Sequence, residues 1–341
     1  MYDIMLGVAI NLVTAVIMAV ITALAYLMVY YFQRSEIMKD LRRFINPKSR
    51  VIVSDTKIRQ TELLKETTFN RLLTEEEQKK ILEQDGKRNL FNGASVRLDS
   101  LGTDGTAKVS IIGFFDFMTT NLVVRPASRA KKSALNTLYS NVFSDTTKEA
   151  VRLERRVKAA VKGQPTKTFN DVISIKELAN VLTVSVLLED STGRVLIVKR
   201  GDKVAVSSGN FATSCAGTIA EEDLKEKNCF IACAQRELKE ELGLDCKLHI
   251  DSLVISKQKL QPAVLLSGRL DNPFESFLDK IKNAEDFNEE NSMLFAVPKE
   301  ELPGIVKKYQ FTDVASFQLV PKCTGWITKF PKSIMQYQLE I

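Results

Sequence analysis

Histidine is almost absent from this chain: His249 is the only one in 341 residues. That removes the Ser-His-Asp and Cys-His classes of nucleophilic catalysis, unless His249 itself is the base. It lies in Lys247-Leu248-His249-Ile250, a strand-like stretch that suits a structural side chain. Cysteine is scarce and unpaired. The five (Cys215, Cys229, Cys233, Cys246 and Cys323) are odd in number and have no C-x-x-C spacing. Cys229 and Cys233 stand at i and i+4, but one histidine and no second pair do not make a zinc site. Buried free thiols in a reducing compartment are the expected state. Internal repeats and low-complexity tracts are also missing. Charged residues at 26% and hydrophobic residues at 45% place the chain among folded globular proteins. Its length leaves room for two domains and an appendage.

The one long stretch without charge is at the N-terminus. Met5 to Phe32 carries no Asp, Glu, Lys or Arg and is dominated by Leu, Val, Ile, Ala and Met. As a helix it would reach about 42 Å, enough to cross a ~30 Å hydrocarbon core. Tyr26, Tyr30 and Tyr31 cluster near its end like an interfacial belt. A signal peptide would need a basic start and a shorter apolar core, whereas here the only preceding charge is Asp3. The run is therefore expected to be a single transmembrane anchor in the lipid bilayer over residues 5–32, within a segment 1–33. Arg34, Lys39, Arg42, Arg43, Lys48 and Arg50 follow it and nothing basic precedes it. The positive-inside rule then puts the rest of a single-pass cell-membrane protein on the cytoplasmic side.

Residues 34–92 form a juxtamembrane segment expected to be helical from Asp55 to Leu73. Thr74-Glu75-Glu76-Glu77 is a capping box that opens another helix ending near Gly86. Residues 93–165 are expected to form a small α+β region. Ala94 to Asp99 and Ala107 to Ile112 flank Gly102-Thr103-Asp104-Gly105, a hairpin signal. Phe114, Phe115 and Phe117 follow, and an aromatic cluster after a strand is more often core than binding surface. A helix from about 145 to 162 carries Arg152, Arg155, Arg156, Lys158 and Lys162, diluted by Glu149 and Glu154. It reads as a solvated face, so no specific nucleic-acid partner is expected. Lys162-Gly163-Gln164-Pro165-Thr166 reads as a linker.

The most informative stretch is Arg236-Glu237-Leu238-Lys239-Glu240-Glu241-Leu242-Gly243-Leu244. On a helix Glu237, Glu240 and Glu241 crowd one side, and like charges one turn apart repel. Arg236 relieves part of this, and a hard divalent cation would relieve more. Ile231, Ala234, Leu238 and Leu242 give an apolar stripe, and Gly243 suits a left-handed cap. Upstream, Val181 to Leu188 and Arg194 to Arg200 read as strands joined by the turn at Glu189 to Gly193. Gly209 to Phe211 leads into the loop Ser214-Cys215-Ala216-Gly217. Downstream, Lys247 to Lys257, Leu260 to Leu270 and Met293 to Val297 read as strands. A helix from about Lys299 to Lys308 follows, which Pro303 and Gly304 must interrupt or restart.

The nine residues match the second half of the signature G-x5-E-x7-R-E-U-x-E-E-x-G-U, with U a bulky aliphatic, and so resemble the Nudix hydrolase superfamily. A solvated glutamate-rich helix face is the bland alternative, and the complete nine-residue match argues against it. The resemblance covers roughly residues 178–335. It implies an α/β fold, a Nudix-type α/β/α sandwich on a mixed sheet. It also implies a Mg²⁺- or Mn²⁺-dependent hydrolase of the pyrophosphate bond in a nucleoside-diphosphate-linked substrate. Carried over residue by residue, Glu237 and Glu241 are the catalytic glutamates, with Arg236 holding them in place. The metal set is Gly217 through its carbonyl, Glu237, Glu240, Glu241 and a downstream carboxylate. That last is assigned to Glu290, with Glu289, Glu285 and Asp286 as neighbours. A homodimer is compatible with the resemblance. Two departures stand out. Gly217 and Arg236 are 19 positions apart, about five more than the signature's spacing. Asn228 occupies the place of the signature's first glutamate, a role Glu222 or Asp223 would fill if the insertion follows them. The alternative function is a nucleotide-binding Nudix-fold sensor or scaffold with little or no hydrolysis.

Overall fold

The computed structural model describes residues 51–83, 92–122, 148–201, 209–319 and 334–341, together with Met18 and Thr22. Pro47–Ile341 is one compact unit. The uncharged run at residues 5–32 lies outside the described residues, except that Met18 and Thr22 are both helical and exposed. Among the described residues no helix is long and apolar enough to cross a membrane.

Two sheets organise the unit. The larger uses β1 (Val51–Val53), β5 (Thr183–Glu189), β6 (Arg194–Arg200), β9 (Leu248–Ser256), β10 (Gln261–Arg269) and β11 (Asn291–Pro298). Their order is β1-β9-β10-β5-β6-β11. Two short strands, β7 (Phe211–Ala212) and β8 (Cys215–Thr218), pair with β6 and β5 respectively. β10 runs parallel to β5 and the other pairs are antiparallel, so the sheet is mixed. β5 reads as a continuous apolar run because both its faces are covered; Val184, Val186 and Leu188 are fully buried. The helix Cys229–Leu242 packs on one side through Phe230, Cys233, Ala234, Leu238 and Leu242. The helix Asp313–Leu319 closes another region, with Val314 and Phe317 against Val254, Ala263 and Leu265. Gln318 pins it to the sheet, its Nε2 donating to Leu266 O at 2.6 Å. This is the expected α/β arrangement of a mixed sheet layered with helices.

The smaller sheet has the order β2-β4-β3, from β2 (Gln60–Leu63), β3 (Ala94–Leu101) and β4 (Thr106–Gly113). The expected hairpin over residues 94–112 is thus present. Asp104 tightens its turn by accepting from Thr106 N at 3.0 Å, and Gly105 supplies the positive φ of 89°. The expected helix over Asp55 to Leu73 is not: β2 pairs in parallel with β4 instead. Thr56, Thr61, Thr67 and Thr68 favour extended backbone, and side-chain partners then hold the chain open. Thr68 Oγ1 donates to Asp99, and Arg71 grips Asp116 through two bonds of 2.8 and 2.9 Å. The capping box forms as read, with Glu77 N–H donating to Thr74 Oγ1 at 3.2 Å and Glu77 Oε2 accepting from Thr74 N–H at 2.8 Å. It opens a helix at Glu75–Glu83. The basic helix runs over Lys148–Val161.

The small module is fused to the large sheet by its own backbone. Val96 N–H donates to Ile219 O at 3.1 Å, Leu98 N–H to Asn180 O at 3.1 Å, and Leu182 N–H to Val96 O at 2.8 Å. Arg97, fully buried, pairs with Asp99 and reaches Leu178 O. One apolar core runs through both parts. Phe115 and Phe117 are buried within it, as expected of core aromatics, and Phe114 is half-buried at its edge. The helix near the C-terminus restarts around Pro303 and Gly304, as expected. It starts at Leu302, which places Pro303 in its first turn, where the missing N–H costs nothing.

Candidate active site

The helix Cys229–Leu242 carries the site, and local chemistry sets both its ends. Asn228 is its N-cap: the side chain accepts from Ile231 N–H at 3.2 Å. At the other end Gly243 adopts a left-handed φ of 64°. Leu244 N–H bonds back to Leu238 O at 3.2 Å, closing the last turn. A Cβ at Gly243 would lie 2.6 Å from Lys280 O, so only glycine fits. Asn228 is therefore a cap, and nothing about its contacts makes it a stand-in for an acidic ligand.

Glu241 is 2% exposed and is held by two donors. Ala216 N–H reaches one oxygen at 3.2 Å and Asn291 Nδ2 the other at 3.1 Å. Burial pushes its carboxyl up to about 8, with Glu237 and Glu290 adding to the rise and Arg200 opposing it. Burial likewise raises Glu237 to about 7, against the pull of Arg236. Gly217 lies on β8 rather than in a free loop, and it touches this carboxylate so closely that any Cβ there would overlap it. That contact is the physical reason for glycine at this point. Glu240 is more open, and Arg236 Nη1 bridges Glu237 and Glu240 at 2.9 Å each.

Arg236 is itself anchored. Asp223, buried in a short 3₁₀ turn, accepts from its Nε at 3.2 Å and its Nη2 at 3.1 Å. Asp223 thus packs a carboxylate beside the helix, while Glu222 is exposed. From the far side, β6 and β11 bring Arg200 opposite Asn291. Arg200 Nη2 donates to Glu290 at 2.9 Å. Of the downstream carboxylates, Glu290 is the one that bears electrostatically on Glu237 and Glu241. Glu285 and Glu289 are exposed, and Asp286 meets the helix through its backbone N–H on Glu240 O at 2.9 Å.

The structure thus brings together Gly217, Arg236, Glu237, Glu240, Glu241 and Glu290. Sequence reasoning missed Arg200 and Asn291. Each sits at a strand end facing the glutamates, and neither belongs to a motif that would single it out. Cys233 Sγ accepts from Arg236 Nη2 at 3.6 Å; burial raises the thiols of Cys215 and Cys233, and carries Cys229 up to about 11. His249 is an exposed strand residue.

Among the described residues no three His, Cys, Asp or Glu side chains are gathered as a ready-made metal cage. Arginines and amides hold the carboxylates instead. The donor chemistry nevertheless fits a hard divalent cation: every candidate is a carboxylate or carbonyl oxygen. Asn291 Oδ1, buried beside Glu241, has no hydrogen-bond donor. Buried Glu241 and half-buried Glu237 are both raised toward neutrality, as carboxylates are when desolvated without enough compensating positive charge.

Residues 179–320 match the family model described as NUDIX domain. No curated protein sequence matches the chain significantly. Among solved structures, DR0079 from Deinococcus radiodurans is similar at 18% identity, over 42% of this chain and 82% of its own, with a TM-score of 0.31. The MutT protein from Methanosarcina mazei Go1 is similar at 14% identity, over 41% of this chain and 90% of its own, with a TM-score of 0.30. Residues 179–320 of this chain are a Nudix domain.

Proposed function

We propose that the chain is a membrane-anchored, Mg²⁺- or Mn²⁺-dependent Nudix hydrolase that cleaves the pyrophosphate bond of a nucleoside-diphosphate-linked substrate. The observation that carries this reading is the packing of Glu237 and Glu241 against Gly217 and Ala216, with Glu240 and Glu290 beside them. A divalent cation there would offset phosphate charge and lower the pKa of a bound water. Glu237, Glu240, Glu241, Glu290 and the Gly217 carbonyl are the groups that would hold it. Arg236 positions Glu237 and Glu240 through the bridge anchored on Asp223. Ala216 N–H and Asn291 fix the orientation of Glu241, so that its carboxylate is presented without rotamer freedom.

The uncharged run at residues 5–32 would hold this domain at the bilayer, with the basic residues after it on the cytoplasmic side. Release of a monophosphate by the full chain in detergent with Mg²⁺ or Mn²⁺, abolished in Glu240→Gln and Glu241→Gln, tests the reading. Tight nucleotide binding without turnover across a broad substrate panel would sink it.

One observation favours a second reading, a nucleotide-binding sensor. Asn228 serves as a helix cap where the signature has a glutamate, and the nearby carboxylate of Asp223 is taken up by Arg236. Retention of all three helix glutamates weighs the other way.

A further inference from the structure

A partly enclosed cavity of about 150 Å³ reaches the glutamate site through β8. Its lining includes Ala216 and Gly217, the residues whose backbones touch Glu241 and Glu237. One wall is not part of the Nudix domain. It is Phe114 and Phe117, from the helix Phe114–Thr119 of the N-terminal module, with ring centroids 6.0 Å apart. Phe117 is buried and Phe114 half-buried, so Phe114 is the ring with free surface.

The lip of the cavity is Gln258 and Lys259, at the tip of the β9–β10 hairpin. The N-terminal module fixes this tip. Asn121, fully buried, donates through Nδ2 to Leu260 O at 2.9 Å and to Lys259 O at 3.3 Å. Its Oδ1 accepts from Asn180 N–H at 3.2 Å. Leu260 sits at a φ of 49°, a left-handed conformation that leucine rarely adopts. Asp313 braces the hairpin from elsewhere in the chain, accepting from Gln258 N–H at 3.0 Å and Ser256 Oγ at 3.2 Å. A strained turn held by Asn121 and Asp313 has a shape to keep.

We infer that the N-terminal module completes the substrate site: the base of the nucleotide stacks on Phe114, beneath the Gln258–Lys259 lip that Asn121 holds in place. The inference rests on the hydrolase reading above and adds the base end of the substrate to it. Size argues for this occupant. Pockets that take a whole drug-sized ligand are ~300 Å³ or more, whereas an apolar cavity of roughly 150 Å³ takes a single ring such as benzene. The cavity therefore suits the flat end of a nucleotide, with the remainder outside. Anything leaving it past Gly217 meets the carboxylates, where the diphosphate belongs. Phe114 offers a ring face, and Gln258 offers donors and an acceptor for a base edge.

Isothermal titration of the full chain in detergent with Mg²⁺ tests this with inorganic pyrophosphate and with ADP, GDP, CDP and UDP. At least one nucleoside diphosphate binds about tenfold tighter than pyrophosphate, the order expected for one base on one aromatic ring. Phe114→Leu keeps the apolar packing, loses that advantage, and leaves pyrophosphate within about twofold. Gln258→Ala, at the hairpin tip and outside the core, weakens the same nucleotide severalfold and spares pyrophosphate. Pyrophosphate binding as tightly as every nucleotide overturns the inference. So does an unchanged nucleotide advantage in both variants, or a parallel loss for both kinds of probe. In those cases the hydrolase reading survives. If neither pyrophosphate nor any nucleotide binds, the hydrolase reading fails and takes this one with it.

Discussion

Withdrawing divalent cations should make the stability of this protein fall as pH rises. Glu241, 2% exposed, keeps its proton up to about 8, against 4.5 for an ordinary glutamate. Between those values the folded chain holds a proton that the unfolded chain has released. The stabilisation is therefore complete below about 4.5 and is lost progressively as pH climbs through about 8. At ~1.36 kcal/mol per pKa unit, Glu241 alone reaches about 5 kcal/mol over the window. Glu237, raised to about 7, titrates as its coupled neighbour, so the two contributions are not summed. A loss on the order of 4–5 kcal/mol is a large share of the ~5–15 kcal/mol that holds a domain folded. Asp190 and Glu275 lie below the usual carboxylate range and act at lower pH. Burial carries Cys229 up to about 11, so it acts at higher pH. Among the described residues the interval between belongs to the two glutamates.

Urea unfolding of the full chain in detergent and chelator, followed by circular dichroism from about pH 5 to about pH 8.5, reads this directly. The midpoint should drop steadily across the range. Glu241→Gln should flatten most of the slope, although its amide satisfies only one of the two donors, Ala216 N–H and Asn291 Nδ2, that now bind the carboxylate. Mg²⁺ or Mn²⁺ at pH 8 should restore about 2.7 kcal/mol at a hundredfold excess over its dissociation constant. A flat or rising midpoint in chelator would refute the reasoning, as would an undiminished slope in Glu241→Gln.

Gly217→Ala puts a methyl into the Glu237 carboxylate; hydrolysis should collapse, with about 1–3 kcal/mol of stability lost to overpacking, and a normal rate in a steady-state assay would show that the contact relaxes freely. Asn228→Ala should cost about 1 kcal/mol in a denaturant melt through loss of the cap. Its Mn²⁺ affinity by titration should not move, and a clear drop would make Asn228 part of the metal site after all. Asp190 is fully buried and accepts from Thr192 N, Arg194 N and Phe274 N at 2.9, 3.0 and 3.3 Å while pairing with Arg194. Asp190→Ala should therefore destabilise by about 3–5 kcal/mol, and a melt within about 1 kcal/mol of the parent would show that the Arg194–Glu275 pair can carry the turn alone.

The parts of this fold that were legible are those whose signal is local. The helix Cys229–Leu242 announces itself through apolar spacing, an amide cap and a terminal glycine, all within one short segment. β5 and β6 announce themselves through aliphatic runs around a turn. The glutamates are legible because three carboxylates in five positions are a cost that calls for a cation. Gly217 lies beside Glu237 in the structure, yet that contact, the reason for glycine there, is a tertiary fact. What failed was non-local. Residues 55–73 carry enough charged and polar residues to pass for a helix, but β4 offers an open edge 46 positions away and β2 takes it. Asp223 gave no sign of being Arg236's anchor, because the extra loop length hides the spacing that would align it. Asn121 is the sharpest case. Nothing about an asparagine at the end of a hairpin-helix unit points to a turn 139 positions onward. Its role follows from burial alone, since a fully buried amide must find partners, and those partners are the backbone of the hairpin beside the Nudix site. A module that meets the domain through its own backbone, its core and this one amide behaves as a wall of that domain. Its place beside that hairpin could be read only once β3 was seen to bond to residues 180–182 and 219.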